Sequence, residues 1–197
     1  MQGSSEINFG RLDGSKPISA DFAEEYRNEY EKFTTIFGEM PNLRAVNIAP
    51  YQGGGVYGGF NPNSSEITLL GVGGKHGKSF MQGVSNSEKK SGQWSTGSVF
   101  HSFRHELGHA LQQCHEMSDP MWNNKLVEIE KIRNNLENQL TELSESDKML
   151  FKKNKLSKYG FESTKEFISE SIAEYANNPK KARATARSVV DIILRKE

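Results

Sequence analysis

A single stretch organises this chain of 197 residues: SVFHSFRHELGHALQQ, residues 98–113. It contains His105-Glu106-x-x-His109, a pattern typical of the zinc-binding helix of metalloproteases. An α-helix turns by about 100° per residue, so the two histidines lie about 40° apart and one turn apart on the same face. Both imidazoles can therefore reach one ion, and Glu106 projects beside them, where it can act on a bound water as general base.

The remainder of the stretch predicts a helix whose opposite face is buried. Gly108 is expected to let another segment approach closely. A helix with two surface histidines is the alternative interpretation, but the separation of apolar and histidine faces favours the metal site. The apolar positions on the opposite arc are Val99, Phe100, Phe103, Leu107, Ala110 and Leu111.

Length and composition favour one domain spanning residues 1–197. Lysine and arginine number 25, as do aspartate and glutamate, so the charge balance argues against nucleic acid and membrane surfaces as partners. Cys114 is the only cysteine, which excludes an internal disulfide. No signal peptide or membrane-spanning stretch is visible, so the location stays open between the cytoplasm and an exported effector. We expect a monomer.

The first half of the chain predicts a helix followed by a small sheet. Residues 1–18 are rich in Gly, Ser and Asn and indicate an irregular lead-in. Aromatic residues spaced by three and four predict a helix over residues 21–37. Three strands follow, of which the last two form a hairpin, giving a mixed or antiparallel sheet of three or four strands. Their ranges are 43–49, 55–60 and 66–70.

The Gly-rich and Lys-rich segment 71–97 lacks a nucleotide-binding pattern and is interpreted as a flexible loop that rims the cleft. The half that follows the histidine helix is mostly helical. A long amphipathic helix is expected over 122–143, broken near 144–147, with a shorter helical piece, a helix over 163–176 and a final helix over 180–197. His76 and His101 are expected at the surface.

A catalytic zinc usually has three protein ligands and one water, so a third ligand is needed. His115 follows His109 by six residues, the offset found in metzincins, where a midway glycine breaks the helix. Here that position is Gln112, and in an unbroken helix His115 would lie about 120° from His109 and almost two turns further on. We therefore expect His115 at a polar helix end, away from the ion.

The acidic helix over 163–176 is the better source of the third ligand. Glu166, Glu170 and Glu174 succeed one another at one-turn spacing, among apolar residues that indicate burial. A carboxylate that binds zinc, with a second one turn later, suits the site because the second accepts the outer N–H of a zinc-binding histidine. Spacing leaves two pairs open, Glu166 with Glu170 and Glu170 with Glu174.

Together with Tyr159-Gly160 and the segment EFISESI at 166–172, the histidine pattern resembles the zincin-like peptidases that include the anthrax lethal factor catalytic domain, the Pro-Pro endopeptidases and phage head-morphogenesis peptidase domains. In that family a Tyr-Gly pair precedes the acidic ligand by seven residues, as Tyr159 precedes Glu166. The resemblance covers roughly the last half of the chain. Ile168, Ser169 and Ser171 replace Phe, Ala and Ala of the family pattern.

Together with the patterns of the first half, the resemblance leads us to expect an α+β, zincin-like fold: a small sheet, an N-terminal helix, an active-site helix and a mostly helical C-terminal half. It implies one catalytic zinc ion held by His105, His109 and Glu166, with Glu106 as base and Tyr159 as oxyanion stabiliser. Glu170 would accept the outer N–H of a zinc-binding histidine.

The expected function is that of a zinc metalloendopeptidase acting on a peptide or protein. The substrate would lie extended along an edge strand, taken to be residues 66–70. One alternative is a non-catalytic zincin-shaped structural or interaction module, as in a phage particle or an effector. Another is a zinc hydrolase of non-peptide amides, which a covered edge strand would favour.

Overall fold

A computed structural model describes residues 9–12 and 14–195, which form a mixed α+β fold. The strands of the described residues are β1 (Phe9–Arg11), β2 (Ala45–Ala49), β3 (Gly58–Asn61) and β4 (Glu66–Leu70). The helices are α1 (Ala20–Phe37), α2 (Gly77–Ser91), α3 (His101–Ser118), α4 (Trp122–Asn138), α5 (Glu145–Lys155), α6 (Thr164–Asn177) and α7 (Ala184–Leu194), with a 3-10 turn at Tyr159–Phe161.

The four strands form one mixed sheet in the order β1-β2-β4-β3. β1 and β4 run parallel to β2, whereas β3 and β4 form the expected antiparallel hairpin, with Phe60 opposite Ile67. The prediction of a small mixed sheet ahead of the histidine helix is confirmed. The assignment of residues 66–70 as the edge strand was wrong, because β4 lies between β2 and β3. The outer strand of the hairpin is β3.

Two segments expected to be irregular contain regular structure. Within the lead-in, β1 pairs with β2, and Phe9 lies edge-on to Tyr26 with ring centroids 6.0 Å apart. Three residues are too few to show an alternation, so this strand had no periodic signal. The part of the lead-in before residue 9 lies outside the described residues.

The predicted loop over 71–97 contains α2, which buries Met81 and Ser85 one turn apart. Glycines at both ends obscured this helix in the sequence. Gly92 ends the helix in the left-handed conformation, with φ of 83°, a conformation that glycine adopts without steric cost. The residues just after it, Gln93 and Trp94, do line a cleft, as expected of this segment.

The aromatic stripe of α1 is buried, as predicted, and packs on the N-terminal half of α3. Tyr26 lies edge-on to both Phe100 and Phe103, with centroids 5.1 Å apart in each pair. The apolar arc of α3 is also mostly buried, including Phe103, Leu107, Ala110 and Leu111.

On its other side α3 crosses α6 at very close range. A Cβ added at Gly108 would lie 3.0 Å from the Cα of Ser169, so a larger residue would force the two helices apart. Gly108 thus allows the close approach that its position predicted. The long helix after residue 121 ends at Asn138 and the last helix covers only Ala184–Leu194, both shorter than expected. Among the described residues, no helix combines the length and apolar character needed to cross a bilayer.

Candidate metal centre

Three potential ligand atoms converge between α3 and α6. The Nε2 atoms of His105 and His109 lie 3.1 Å apart, and Glu166 Oε2 lies 2.9 Å from the first and 3.3 Å from the second. Zinc bonds of about 2.0–2.1 Å in a tetrahedron would separate two ligand atoms by about 3.3 Å. The spacing of the three atoms is therefore close to that of a zinc tripod.

Glu166 Oε2 is buried but has no hydrogen-bond donor among the described residues, since the two short imidazole contacts lack hydrogen-bond geometry. Burial opposes ionisation of Glu166, yet the imidazoles of His105 and His109 lower its pKa to about 2. For His105, burial alone would lower the pKa of the imidazole, but the carboxylates of Glu166 and Glu170 raise this pKa to about 10. The pKa shifts favour the charged form of each group, a carboxylate on Glu166 and an imidazolium on His105, and a metal cation bound between them would take the place of the proton on His105 Nε2.

Glu170 fixes the tautomer of His105. Its side chain is fully buried, and Oε1 lies 3.0 Å from His105 Nδ1 and 2.8 Å from His101 Nε2. Oε2 accepts a 2.7 Å hydrogen bond from the backbone N–H of Ser95. Burial opposes ionisation of Glu170, but its hydrogen bonds with His101 and His105 hold its pKa well below the usual range. An ionised Glu170 holds a proton on Nδ1 of His105, so Nε2 is the nitrogen that can give up its proton and bind a metal.

His101 belongs to this network, and its assignment to the surface was wrong. It is 1% exposed, and burial lowers its pKa, so the ring is neutral. Nε2 donates to Glu170, and Nδ1 can accept from Thr96 Oγ1 at 3.1 Å. Trp94 stacks on the ring with centroids 4.5 Å apart. The sequence spacing could have indicated that His101 belongs with the site. His101, His105 and His109 follow one another at one-turn intervals on one helix face. His76 is exposed, as expected.

Glu106 lies between the histidines and the outer edge of β3. Burial raises the pKa of its carboxyl, while His105, His109 and a hydrogen bond from the backbone N–H of Phe60 act in the opposite direction. Gly58 permits this approach, since a Cβ there would lie 2.7 Å from Ser102 Oγ and 3.2 Å from Glu106 Cγ. A base with a raised pKa suits proton transfer near neutral pH.

Tyr159 lies beside His105, in the 3-10 turn. Its ring centroid is 5.4 Å from that of His105, and its backbone N–H donates to Gln93 O at 3.3 Å. Burial, followed by the charges of Glu166 and Glu106, raises the pKa of its hydroxyl. The hydroxyl therefore keeps its proton and remains a hydrogen-bond donor beside the site.

The two competing ligand candidates lie elsewhere. Glu174 accepts hydrogen bonds from the backbone N–H and Nε of Arg183, both at 2.8 Å, so the pair of glutamates at the histidines is Glu166 with Glu170. His115 pairs with Asp119 at 3.3 Å and stacks on Trp122, at the C-terminal end of α3. Gln112 keeps that helix continuous and ties it to α6 through a 2.9 Å bond to Ser169 Oγ.

Two cavities meet at the histidines. One, of about 370 Å³, opens towards the C-terminal end of α3 and is lined by His109, Gln113, Lys165 and Glu166 among others. The second, of about 170 Å³, lies on the side of Tyr57, Glu88 and Trp94. Both cavities are lined by Gly58, His105, Glu106 and Tyr159, so the two cavities adjoin at the candidate site.

Comparisons with protein-family models, with curated proteins and with solved structures find no match to this chain. The geometry of the site therefore carries the functional interpretation.

Proposed function

We propose that this chain is a zinc-dependent metalloendopeptidase with a zincin-like fold. The observation that supports it most is the convergence of two imidazole nitrogens and one buried carboxylate oxygen, all within 3.3 Å of one another. His105, His109 and Glu166 would hold the ion. A bound zinc ion supplies Lewis acidity and a nucleophilic water at neutral pH.

The surrounding side chains have the chemistry that peptide hydrolysis requires. Glu106 would take the proton of the attacking water and pass it to the leaving amine. Tyr159, whose hydroxyl stays protonated, would donate a hydrogen bond to the oxyanion, a contact of about 3 kcal/mol in a dry site. Glu170 would hold His105 in the orientation and tautomer that metal binding needs.

An extended substrate fits the outer edge of β3. Tyr57 O accepts a hydrogen bond from Leu70 N, so Tyr57 directs its backbone groups towards β4. Alternation in an antiparallel pair then directs the backbone groups of Gly58 and Phe60 outward, where the Phe60 N–H already donates to Glu106. In the described residues no strand pairs with this edge, which favours a peptide over the small non-peptide amide considered from the sequence. Main-chain hydrogen bonds to β3 would align the substrate beside Glu106.

The test combines metal analysis with cleavage of a proteome-derived peptide library by the zinc-loaded protein. We expect one zinc ion per chain and cleavage that Glu106→Gln reduces by about 10²–10⁴-fold without loss of the ion. Glu142→Gln removes an exposed carboxylate that lines neither cavity and should leave activity unchanged.

Activity that survives Glu106→Gln would refute this assignment of the base. A protein that holds zinc in the tripod but cuts no peptide would favour the rival, a zincin-shaped module that binds without cutting.

A further inference from the structure

The smaller cavity beside the candidate site combines aromatic walls with negative charge. Trp94 and Tyr57 form two walls, nearly perpendicular to each other, with centroids 5.5 Å apart. Tyr51 stacks on Tyr57 at 5.2 Å and extends the aromatic surface outward. Among the described residues that line this cavity, Glu88 and Glu106 carry carboxyl groups, His101 and His105 are the basic side chains, and none is a lysine or arginine.

Glu88 is half-buried near the C-terminal end of α2. Among the described residues it makes no salt bridge, and the group it contacts is the neutral phenol of Tyr57. Burial, Tyr51 and the charge of Glu88 together raise the pKa of Tyr57 to about 12, so the phenol does not ionise near neutral pH. The carboxylate of Glu88 therefore has no cationic partner in the described part of the chain.

We propose that this cavity is a specificity pocket for a lysine or arginine side chain at a substrate position flanking the scissile bond. The proposal rests on the peptidase function proposed above. Aromatic walls suit the methylene stem and can attract the cation through their π faces, while Glu88 neutralises its charge. The volume of about 170 Å³ holds five to six waters at about 30 Å³ each, which suits one long side chain.

The position of the cavity links it to the reaction. His105, Glu106 and Tyr159 form its inner wall, and Gly55, Val56 and Gly58 bring its outer wall up to the edge of β3. A substrate strand paired with β3 would therefore place one side chain in the cavity while its backbone passes the histidines. Glu88 is a specificity residue here and takes no part in bond cleavage.

The first experiment compares peptides that differ at one position, lysine against norleucine, as substrates of the zinc-loaded protein. We expect kcat/KM to favour lysine by tenfold or more, in line with a charge-assisted contact. Glu88→Gln should remove that preference, chiefly by lowering kcat/KM for the lysine peptides. Glu142→Gln, the matched exposed carboxylate, should retain it. Cleavage with equal rates for lysine and norleucine would overturn the pocket and leave the peptidase function standing.

A binding measurement separates the pocket from the catalytic proposal. Calorimetry with the Glu106→Gln protein uses a blocked alanine pentapeptide with central lysine and its norleucine counterpart. Tighter binding of the lysine peptide, lost in the Glu88→Gln, Glu106→Gln double variant, supports the pocket even if the wild-type protein cuts nothing. Equal binding of the two peptides, or binding of neither, contradicts it.

Discussion

His105 has a different carboxylate at each ring nitrogen. Nδ1 contacts the fully buried Glu170, and Nε2 faces the partly exposed Glu166. The two glutamates lie one turn apart on α6, yet their surroundings separate their roles. Glu170 already binds two histidines and a backbone N–H, whereas Glu166 Oε2 has no donor among the described residues and is available to a metal.

Glu170→Gln tests this division of roles. An amide cannot accept all three of the donors that Glu170 satisfies, so the His105 tautomer is no longer fixed. We expect zinc affinity to fall by about 10–100-fold, measured by competition with a chromogenic chelator.

The matched control is Glu174→Gln, one turn further along α6. It breaks the contact with Arg183 and should lower stability but leave zinc affinity unchanged. Equal losses of affinity in both variants would indicate a general disturbance of α6 rather than a role for Glu170.

Tyr159→Phe removes only the hydroxyl. The loss of one oxyanion donor should lower kcat by about 10²–10³-fold with little change in KM. Steady-state kinetics on a cleaved peptide provide the measurement. A variant with unchanged kcat would exclude Tyr159 as the oxyanion donor.

At the level of elements, α3 is held in place by a buried ion pair. Arg104, 5% exposed, binds Glu29 of α1 and donates to Asn177 of α6 at 2.8 Å and to Ser98 Oγ at 2.9 Å. The helix that carries His105 and His109 is thus bound to the helices on either side. Arg104 and Glu29 are 75 residues apart, and no spacing rule in the sequence links them.

Glu29→Gln leaves the buried Arg104 charge without its partner. We expect a loss of about 3–5 kcal/mol in the free energy of unfolding, measured with urea at pH 7. Glu24→Gln removes the partner of Arg27 in an exposed ion pair on the same helix and should cost less than about 1 kcal/mol. Similar costs in the two variants would contradict a structural role for the buried pair.

The effect of Glu29→Gln should depend on pH. Burial opposes ionisation of Glu29, but the charges and hydrogen bonds of Arg104 and Lys32 hold its pKa below the ordinary value of 4.5. A carboxyl whose folded-state pKa is lowered adds stability above its unfolded pKa and loses it as pH falls through the folded pKa. The difference in unfolding free energy between wild type and Glu29→Gln should therefore be constant above pH 6 and shrink below about pH 4. A difference that grows on acidification would contradict the lowered pKa.

For the whole molecule, the candidate site joins residues that are far apart in sequence. The α3 histidines, the 3-10 turn with Tyr159 and the glutamates of α6 meet at one point, with Ser95 bound to Glu170. A ligand that bridges these parts binds the folded chain in preference to the unfolded one. Zinc binding and global stability should then be coupled.

Zinc at a free concentration of 1,000 times its Kd should stabilise the fold by about 4 kcal/mol. For a chain of this size that corresponds to a Tm roughly 8–16 °C higher than in the presence of a chelator. Calorimetry with zinc and with EDTA measures the shift, and His109→Ala provides the control that should show little of it. A Tm that does not respond to zinc in the wild type would refute the coupling.

Much of the architecture was predictable because short sequence patterns determine it. The aromatic spacing of α1, the turn between β3 and β4 and the histidine face of α3 are each encoded within a few neighbouring residues. The strand order could not be predicted in this way, since the position of β4 inside the sheet depends on its pairing with β2. Spacing also left Glu166 and Glu174 equivalent, and Arg183, nine residues after Glu174, binds that carboxylate in the structure. The pairing of His101 with Glu170 depends on a contact across 69 residues.

An anomalous-difference map collected at the zinc absorption edge, from crystals grown with zinc, tests the central proposal most directly. We predict a single peak at about 2.0–2.2 Å from His105 Nε2, His109 Nε2 and a carboxylate oxygen of Glu166. A peak elsewhere, or one at the two histidines with Glu166 turned away and no other acidic group in its place, would contradict the metallopeptidase account.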